Sequence, residues 1–277
     1  MSTNNTLSIN LLGFGRVGKA LLKLLQPATG ITITAIYNRT PCPECTSDLT
    51  SLPQAELNLL AVSDDAISEV ATQLLLTQKN ACFIHFSGAL PASICNPQHR
   101  QDIHCASLHP PISFPSNPEK AALLFASALC TLEGDPIAVA QTNALFARLN
   151  ISMITIDPAQ KATYHAACVM ASNYLVTLAE NAKTLFEQAS IETDAAKLMT
   201  EQLIKSSISQ LVQHKDYRNA LTGPLKRGDT DTIQKHLQQL PLEKQALYRA
   251  LGLQTLSLTH LPSETVSSLT ELLNDGS

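Results

Sequence analysis

Tryptophan is absent, aromatic residues make up only 4% of the 277 residues, and charged residues only 15%. A core built from this chain must therefore rest on Leu, Ile, Val and Ala, within a hydrophobic fraction of 44%. No apolar run approaches the ~18 residues of a transmembrane helix, so no membrane partner is expected. The net charge of −4 lacks the basic excess of a general nucleic-acid binder, and no nucleic-acid partner is expected either. The first residues, Met1-Ser2-Thr3-Asn4-Asn5-Thr6, lack the basic start and apolar run of a secretory leader, which points to a cytoplasmic protein. Seven cysteines, an odd number scattered through apolar segments, make a poor disulfide framework. Cys42 and Cys45 form a single CxxC. With no second pair and no His pair at zinc spacing, the segment reads as a plain loop and no metal site is expected.

What is present is an alternation of short apolar strands with amphipathic helices, the pattern of βαβ units and a parallel sheet. Strands are expected at 7–12, 31–37, 57–62, 81–86 and 106–109, with further ones near 129–133 and 152–156. After Asp157-Pro158 strand signals disappear. One helical pattern, apolar enough to be largely buried, runs to Gln188, and helices follow near 194–213, 230–240 and 242–251. The expectation is an α/β domain over residues 1–156 and an all-α domain over 157–277, with fraying of the last few residues.

The first strand runs directly into Gly13-Phe14-Gly15-Arg16-Val17-Gly18, which opens a helix; that context gives a GxGxxG its meaning. Gly13 permits the tight turn, Gly15 lets backbone approach a pyrophosphate, and Gly18 lets helix pack on strand. The helix N-terminus then offers N–H groups and a positive dipole to phosphates. At the end of the second strand stands Tyr37-Asn38-Arg39-Thr40, where an acid would serve the ribose hydroxyls of NAD. Arg39 attracts a 2′-phosphate that an acid would repel, and Asn38 and Thr40 add neutral hydrogen bonds, so NADPH is the expected cofactor. Ser63 and Ser87-Gly88 lie at carboxyl ends of strands, where this fold binds ligands.

Lys161, His165, Val169 and Asn173 are spaced four apart on one helical face, with Tyr164, Cys168 and Ser172 beside them. Polar groups on so apolar a helix need partners or a ligand. Carbonyl reduction supplies a reason: an alkoxide forming on hydride transfer needs a proton donor and positive charge nearby. Lys161 is suited to both tasks, His165 to donating a proton and Asn173 to orienting substrate. The competing reading has Lys161 solvated near the helix start and the other two satisfied within the core. In Leu221-Thr222-Gly223-Pro224-Leu225-Lys226-Arg227-Gly228-Asp229, Thr222 and Arg227 are candidates for a substrate carboxylate, against a purely structural turn in which Asp229 caps the next helix.

These motifs, with Ser87-Gly88-Ala89-Leu90, Leu108-His109-Pro110, Tyr164-His165-Ala166-Ala167, Ser172-Asn173-Tyr174 and Arg227-Gly228-Asp229, together carry a resemblance. The chain resembles a two-domain reductase family with a Rossmann-like N-terminal half and a C-terminal helical domain long labelled as of unknown function. The helical half resembles the C-terminal domains of the 6-phosphogluconate dehydrogenase-like superfamily. Some members of the family are regarded as an alternative type of ketopantoate reductase, forming pantoate for coenzyme A with NADPH. The resemblance implies reduction of a small 2-oxo acid, with the superfamily's catalytic Lys falling on Lys161. It also implies substrate contacts from Ser87, Gly88, His109, Asn173, Thr222 and Arg227, and a homodimer through the helical domain. β-Hydroxyacid dehydrogenases carry Asn four residues after that Lys, where this chain has His165, which counts against that subtype. Another NADP-linked hydroxyacid dehydrogenase, an imine reductase and a non-catalytic NADPH-sensing regulator remain alternatives.

Overall fold

The computed structural model describes residues 6–274. The polar start at 1–5 and the fraying expected of the chain end, at 275–277, lie outside the described residues. Two units are present, one ending at Asn173 and the other beginning at Tyr174.

The first unit holds a seven-stranded sheet in the order β2-β1-β3-β4-β5-β6-β7. Its elements in chain order are β1 (Leu7–Leu12), α1 (Arg16–Leu25), β2 (Ile31–Tyr37), β3 (Leu57–Leu60), α2 (Asp64–Leu74), β4 (Ala81–His85), β5 (Ile103–His109), α3 (Pro118–Ser127), β6 (Leu129–Gly134), α4 (Pro136–Ala147), β7 (Ser152–Thr155) and α5 (Lys161–Ala171). Strands β1 to β5 are parallel, and β6 runs antiparallel to β5. The central strands β3 and β4 are buried on both faces, which explains their near-continuous hydrophobic runs. Ile9 and Leu11 of β1 face α1, α3 and α4 through Leu21, Phe125 and Phe146, while Leu12 turns to the opposite face and α2 through Ile67 and Leu74. The scarce aromatics are concentrated in the first of these layers, where Phe125 and Phe146 stack at 6.0 Å and Phe86 meets both edge-on.

The second unit is helical: α6 (Asn173–Gln188), whose first residue closes the first unit, α7 (Thr193–Gln213), α8 (Pro224–Arg227), α9 (Thr230–Gln239), α10 (Leu242–Leu256) and α11 (Ser263–Asn274). Its core gathers Ile233, Leu237, Leu256, Leu269 and Leu273 from α9, α10 and α11. Asp229 caps α9 by accepting from the Thr232 amide at 3.0 Å, as its position suggested. Among the described residues no helix is long and apolar enough to cross a membrane.

Three expectations need correction. The helical run from 157 to 188 is not continuous, because α5 ends at Ala171 and α6 starts at Asn173. The Ser172 hydroxyl donates to the Cys168 carbonyl four residues back, at 2.6 Å, and Ser172 leaves helical geometry, with φ −124° and ψ −71°. Such back-bonding bends helices. Nor is α5 largely buried: Lys161 is its buried residue, while Met170 is 68% exposed. The first unit takes in α5, which Lys161 roots in the sheet. Finally, Cys42 and Cys45 are joined by a disulfide, so the segment is a cross-linked turn rather than a bare loop.

Candidate active site

The turn after β1 is shaped by steric necessity. Gly13 has φ +97°, and a Cβ there would lie 2.4 Å from the Ala61 carbonyl oxygen. A Cβ on Gly18 would fall 1.9 Å from the Gly13 carbonyl, so α1 crosses the turn only as glycine. Gly15 differs, since nothing stands within 4 Å of its Cβ position and it caps α1 with no side-chain acceptor. The first-turn N–H groups of α1 thus border open space with the positive end of the helix dipole behind them. Arg16 reaches from this turn to the Phe114 carbonyl at 3.3 Å, Val17 packs on the sheet core, and Lys19 lies over the Phe14 ring.

A cavity of about 280 Å³ begins at this turn and is lined by Gly13, Phe14, Gly15, Asn38, Arg39, Thr40 and Ser63 among others. Asn38 ties its two sides together: its Oδ1 accepts from the Phe14 amide at 3.1 Å, and its Nδ2 donates to the Thr40 carbonyl at 2.8 Å. Arg39 is exposed. Asp65, at the start of α2, has its pKa lowered first by a hydrogen bond from Ser63 and further by the charge of Arg39. These residues suit a dinucleotide phosphate: open backbone amides, a helix N-terminus and an exposed guanidinium without an acid in its place.

The second focus is Ser87-Gly88, after β4. The Ser87 hydroxyl donates to Asp64 at 2.6 Å and accepts from the Ala89 and Leu90 amides, so it shapes the turn and is fully engaged there. His85 below it accepts from the Ser87 amide at Nδ1, which leaves Nε2–H to donate to the Pro91 carbonyl at 3.2 Å. Burial, then the charge of Lys161, pushes its pKa down to about 3, in keeping with this neutral tautomer.

Lys161 is only 3% exposed. Its Nζ donates to Glu133 Oε1 on β6, at 2.8 Å, and to the Ser107 hydroxyl on β5. Glu133 also accepts from the Ala92 amide, and Ser107 donates to the Ser87 carbonyl. Desolvation lowers the Lys161 pKa, and the hydrogen bond and charge of Glu133 oppose the shift. This lysine is therefore neither solvated nor presented to a cavity; it anchors α5 to the sheet. Sequence reasoning missed Glu133 and Ser107. Their signal was a polar side chain inside an otherwise apolar strand.

Gly88 is the meeting point of the remaining groups. A Cβ there would stand 2.7 Å from His165 Nδ1 and 2.9 Å from His109 Nε2, so both rings rest on bare backbone. His165 Nδ1 is buried without a hydrogen-bond partner. His109, at the end of β5, shares a 2.7 Å hydrogen bond at Nδ1 with the Tyr164 hydroxyl. Burial, then the nearby His165 and Lys161, pulls the His109 pKa down to about 4, and burial raises that of Tyr164. His109, Tyr164, His165, Cys168, Ser172 and Asn173 line one cavity of about 540 Å³. Asn173 is exposed beyond the break in the helix, with its Oδ1 2.9 Å from the Ser172 hydroxyl. Thr222 and Arg227 are exposed in the second unit, where Arg227 lies 4.0 Å from Asp229. Among the described residues no cluster of His, Cys, Asp and Glu is arranged to hold a metal.

Residues 128–255 match the model of a domain of unknown function, DUF2520. No curated protein matches. Among solved structures, a provisionally named NADP oxidoreductase from Bacteroides fragilis is 21% identical, with a TM-score of 0.73, over 92% of this chain and 100% of its own. A Thermotoga maritima protein is 23% identical, with a TM-score of 0.72, over 94% and 98% of the two chains. The pyrroline carboxylate reductase of Plasmodium falciparum, solved with NADP bound, is 13% identical, with a TM-score of 0.60, over 99% of each. These likenesses establish the fold, a Rossmann-like sheet followed by a helical part.

Proposed function

We propose that the chain is an NADPH-dependent reductase of a small carbonyl or imine compound, with ketopantoate, reduced to pantoate, as the first substrate to test. The observation that carries this reading is the meeting of His109 and His165 on the bare backbone of Gly88, at the strand ends that also carry the glycine turn. The amides of Gly13 to Gly18 would hold the pyrophosphate, and Arg39 with Asn38 and Thr40 the 2′-phosphate. When bound, NADPH supplies the hydride; the chain must supply a proton and orientation. His109 is held neutral and fixed by Tyr164, and His165, whose Nδ1 faces Gly88 without a partner, is the proposed proton donor. Lys161 positions α5 rather than meeting the substrate. Asn173, which lines the same cavity as His109 and His165, is the proposed contact for a polar end of the substrate.

An imine carrying a carboxylate is the second reading. It is favoured by the pairing of Lys161 with Glu133, which withdraws the lysine best suited to an alkoxide. The likeness to pyrroline carboxylate reductases makes pyrroline-5-carboxylate the compound to test for it. NADPH oxidation is followed with ketopantoate, other 2-oxo acids and pyrroline-5-carboxylate. His165→Gln is expected to lower kcat by about 100-fold on the true substrate, the usual worth of a general acid. Arg39→Ala is expected to raise KM for NADPH by about 10- to 100-fold and leave NADH unchanged, as for loss of a charged hydrogen bond. Tight NADPH binding with no turnover on any of these compounds would favour an NADPH-sensing regulator.

We also infer a homodimer through the helical unit. Helix α6 has no buried residue, and Val176, Leu203 and Val212 on α6 and α7 are 70%, 56% and 82% exposed. Apolar exposure on that scale marks an interaction surface.

A further inference from the structure

The segment between β2 and β3 makes a closed excursion. It leaves the sheet at Tyr37 and returns beside it at Thr46, where the Asn38 amide donates to the Thr46 carbonyl at 3.0 Å and the Thr46 amide to the Ile36 carbonyl at 2.9 Å. The tip is closed by the Cys42–Cys45 disulfide and by the Cys45 amide donating to the Cys42 carbonyl at 3.1 Å. Between base and tip lie Arg39 and Thr40, both exposed and both lining the cavity that opens from the glycine turn. The other five cysteines are a different population. Cys82, Cys95, Cys105 and Cys130 are buried, with thiols pushed up by burial, and Cys168 is half-buried in α5. Cys42 and Cys45 are both partly exposed, on a turn whose neighbours Pro41, Pro43 and Glu44 face solvent. Neither cysteine stands in the first turn of a helix, where a thiol would be depressed, so the pair has the character of a latch rather than of a catalytic dithiol.

We propose that Cys42 and Cys45 form a reversible dithiol–disulfide site that tunes the grip of the Asn38–Arg39–Thr40 segment on the 2′-phosphate of NADPH. The inference rests on the reading of that segment as the phosphate site. A small dithiol supplies the chemistry: its thiolate attacks one sulfur of the bridge, forming a mixed disulfide and releasing one cysteine thiolate. Its second thiol then displaces the other cysteine. Two electrons and two protons pass to the protein, and the reductant leaves as a cyclic disulfide. With the bridge closed, Arg39 is held between two fixed ends. With it open, the same residues must be ordered when the phosphate binds, and affinity falls by that ordering cost. The closure entropy of so short a loop limits the effect to about 20-fold. On that reading this segment grips the 2′-phosphate, which NADH lacks, so a loss of about 3- to 10-fold for NADPH is expected, with little change for NADH.

The test is titration of the whole protein with NADPH and with NADH, before and after dithiothreitol, and again after reoxidation. Iodoacetamide labelling with mass analysis reads the state of Cys42 and Cys45. The expected result is two newly labelled cysteines on reduction, a 3- to 10-fold loss for NADPH alone, and recovery on reoxidation. Cys42→Ser/Cys45→Ser should sit at the reduced value throughout. Equal NADPH preference in both verified states would overturn the proposal and leave the phosphate site standing. No preference for NADPH in either state would overturn the phosphate reading itself, and the coupling with it.

Discussion

A lysine ammonium taken out of water is tolerated only while its counter-charge and hydrogen bonds stay with it. Lys161 meets that condition through Glu133 and Ser107, and each of those also holds another part of the turn region. Lys161→Ala is therefore expected to cost about 3–5 kcal/mol, because it strands a buried carboxylate. Lys161→Met with Glu133→Gln should recover most of this, since Gln keeps an acceptor for the Ala92 amide. Urea unfolding of the two variants checks it; a single variant as stable as the parent would refute the anchoring role. Histidines make the second residue-scale prediction. His109 and His85 have pKa values near 4 and 3 in the fold, below the ordinary 6.5. The unfolded chain binds their protons first, so their contribution is complete above about pH 6.5 and is lost as pH falls through 4 to 3. The share of His109 is on the order of 3 kcal/mol. A thermal midpoint that does not fall between pH 6.5 and 4 would contradict the burial of these rings.

Among the elements, the decisive feature is how strand ends and helix starts are brought to contact. The glycine turn was legible because its spacing maps onto a positive-φ turn at Gly13 and a close crossing of the helix at Gly18, neither of which leaves room for a side chain. Gly88 was legible only as a strand end. That it seats two histidine rings depends on β5 and α5 arriving from residues far along the chain. Gly88→Ala is expected to push His165 and His109 off the backbone and lower kcat by at least about 10-fold, by the usual cost of misplacing catalytic groups. NADPH affinity should persist, because the glycine turn is untouched. Steady-state kinetics with a separate cofactor titration tests this, and unchanged kcat would remove Gly88 from the site. At the start of α9 the sequence was a sufficient guide to the cap. Asp229→Ala should cost about 1 kcal/mol, the usual worth of an N-cap carboxylate, and be read as a shift in urea midpoint.

For the molecule as a whole, the helical unit has a small core in α9, α10 and α11 and little burial elsewhere. A second copy is the proposed cover for α6 and α7. Leu203→Glu is expected to weaken that association by at least about 10-fold, the result of burying an unpaired carboxylate at an interface. Sedimentation across a range of concentrations reads the outcome, and a parent protein that sediments as a monomer throughout would end the dimer reading.

The amino-acid sequence alone determined the alternation of strands and helices, the glycine turn and the cap at Asp229. All of these follow from backbone preferences and from hydrophobic periods of two and 3.6 residues. Tertiary structure alone decided that Lys161 pairs inward, that His109 joins Tyr164, that Ser172 breaks the helix and that Cys42 bridges to Cys45. A helical stripe shows which residues share a face. Whether that face meets a carboxylate, a ring or water depends on strands that sequence spacing does not place.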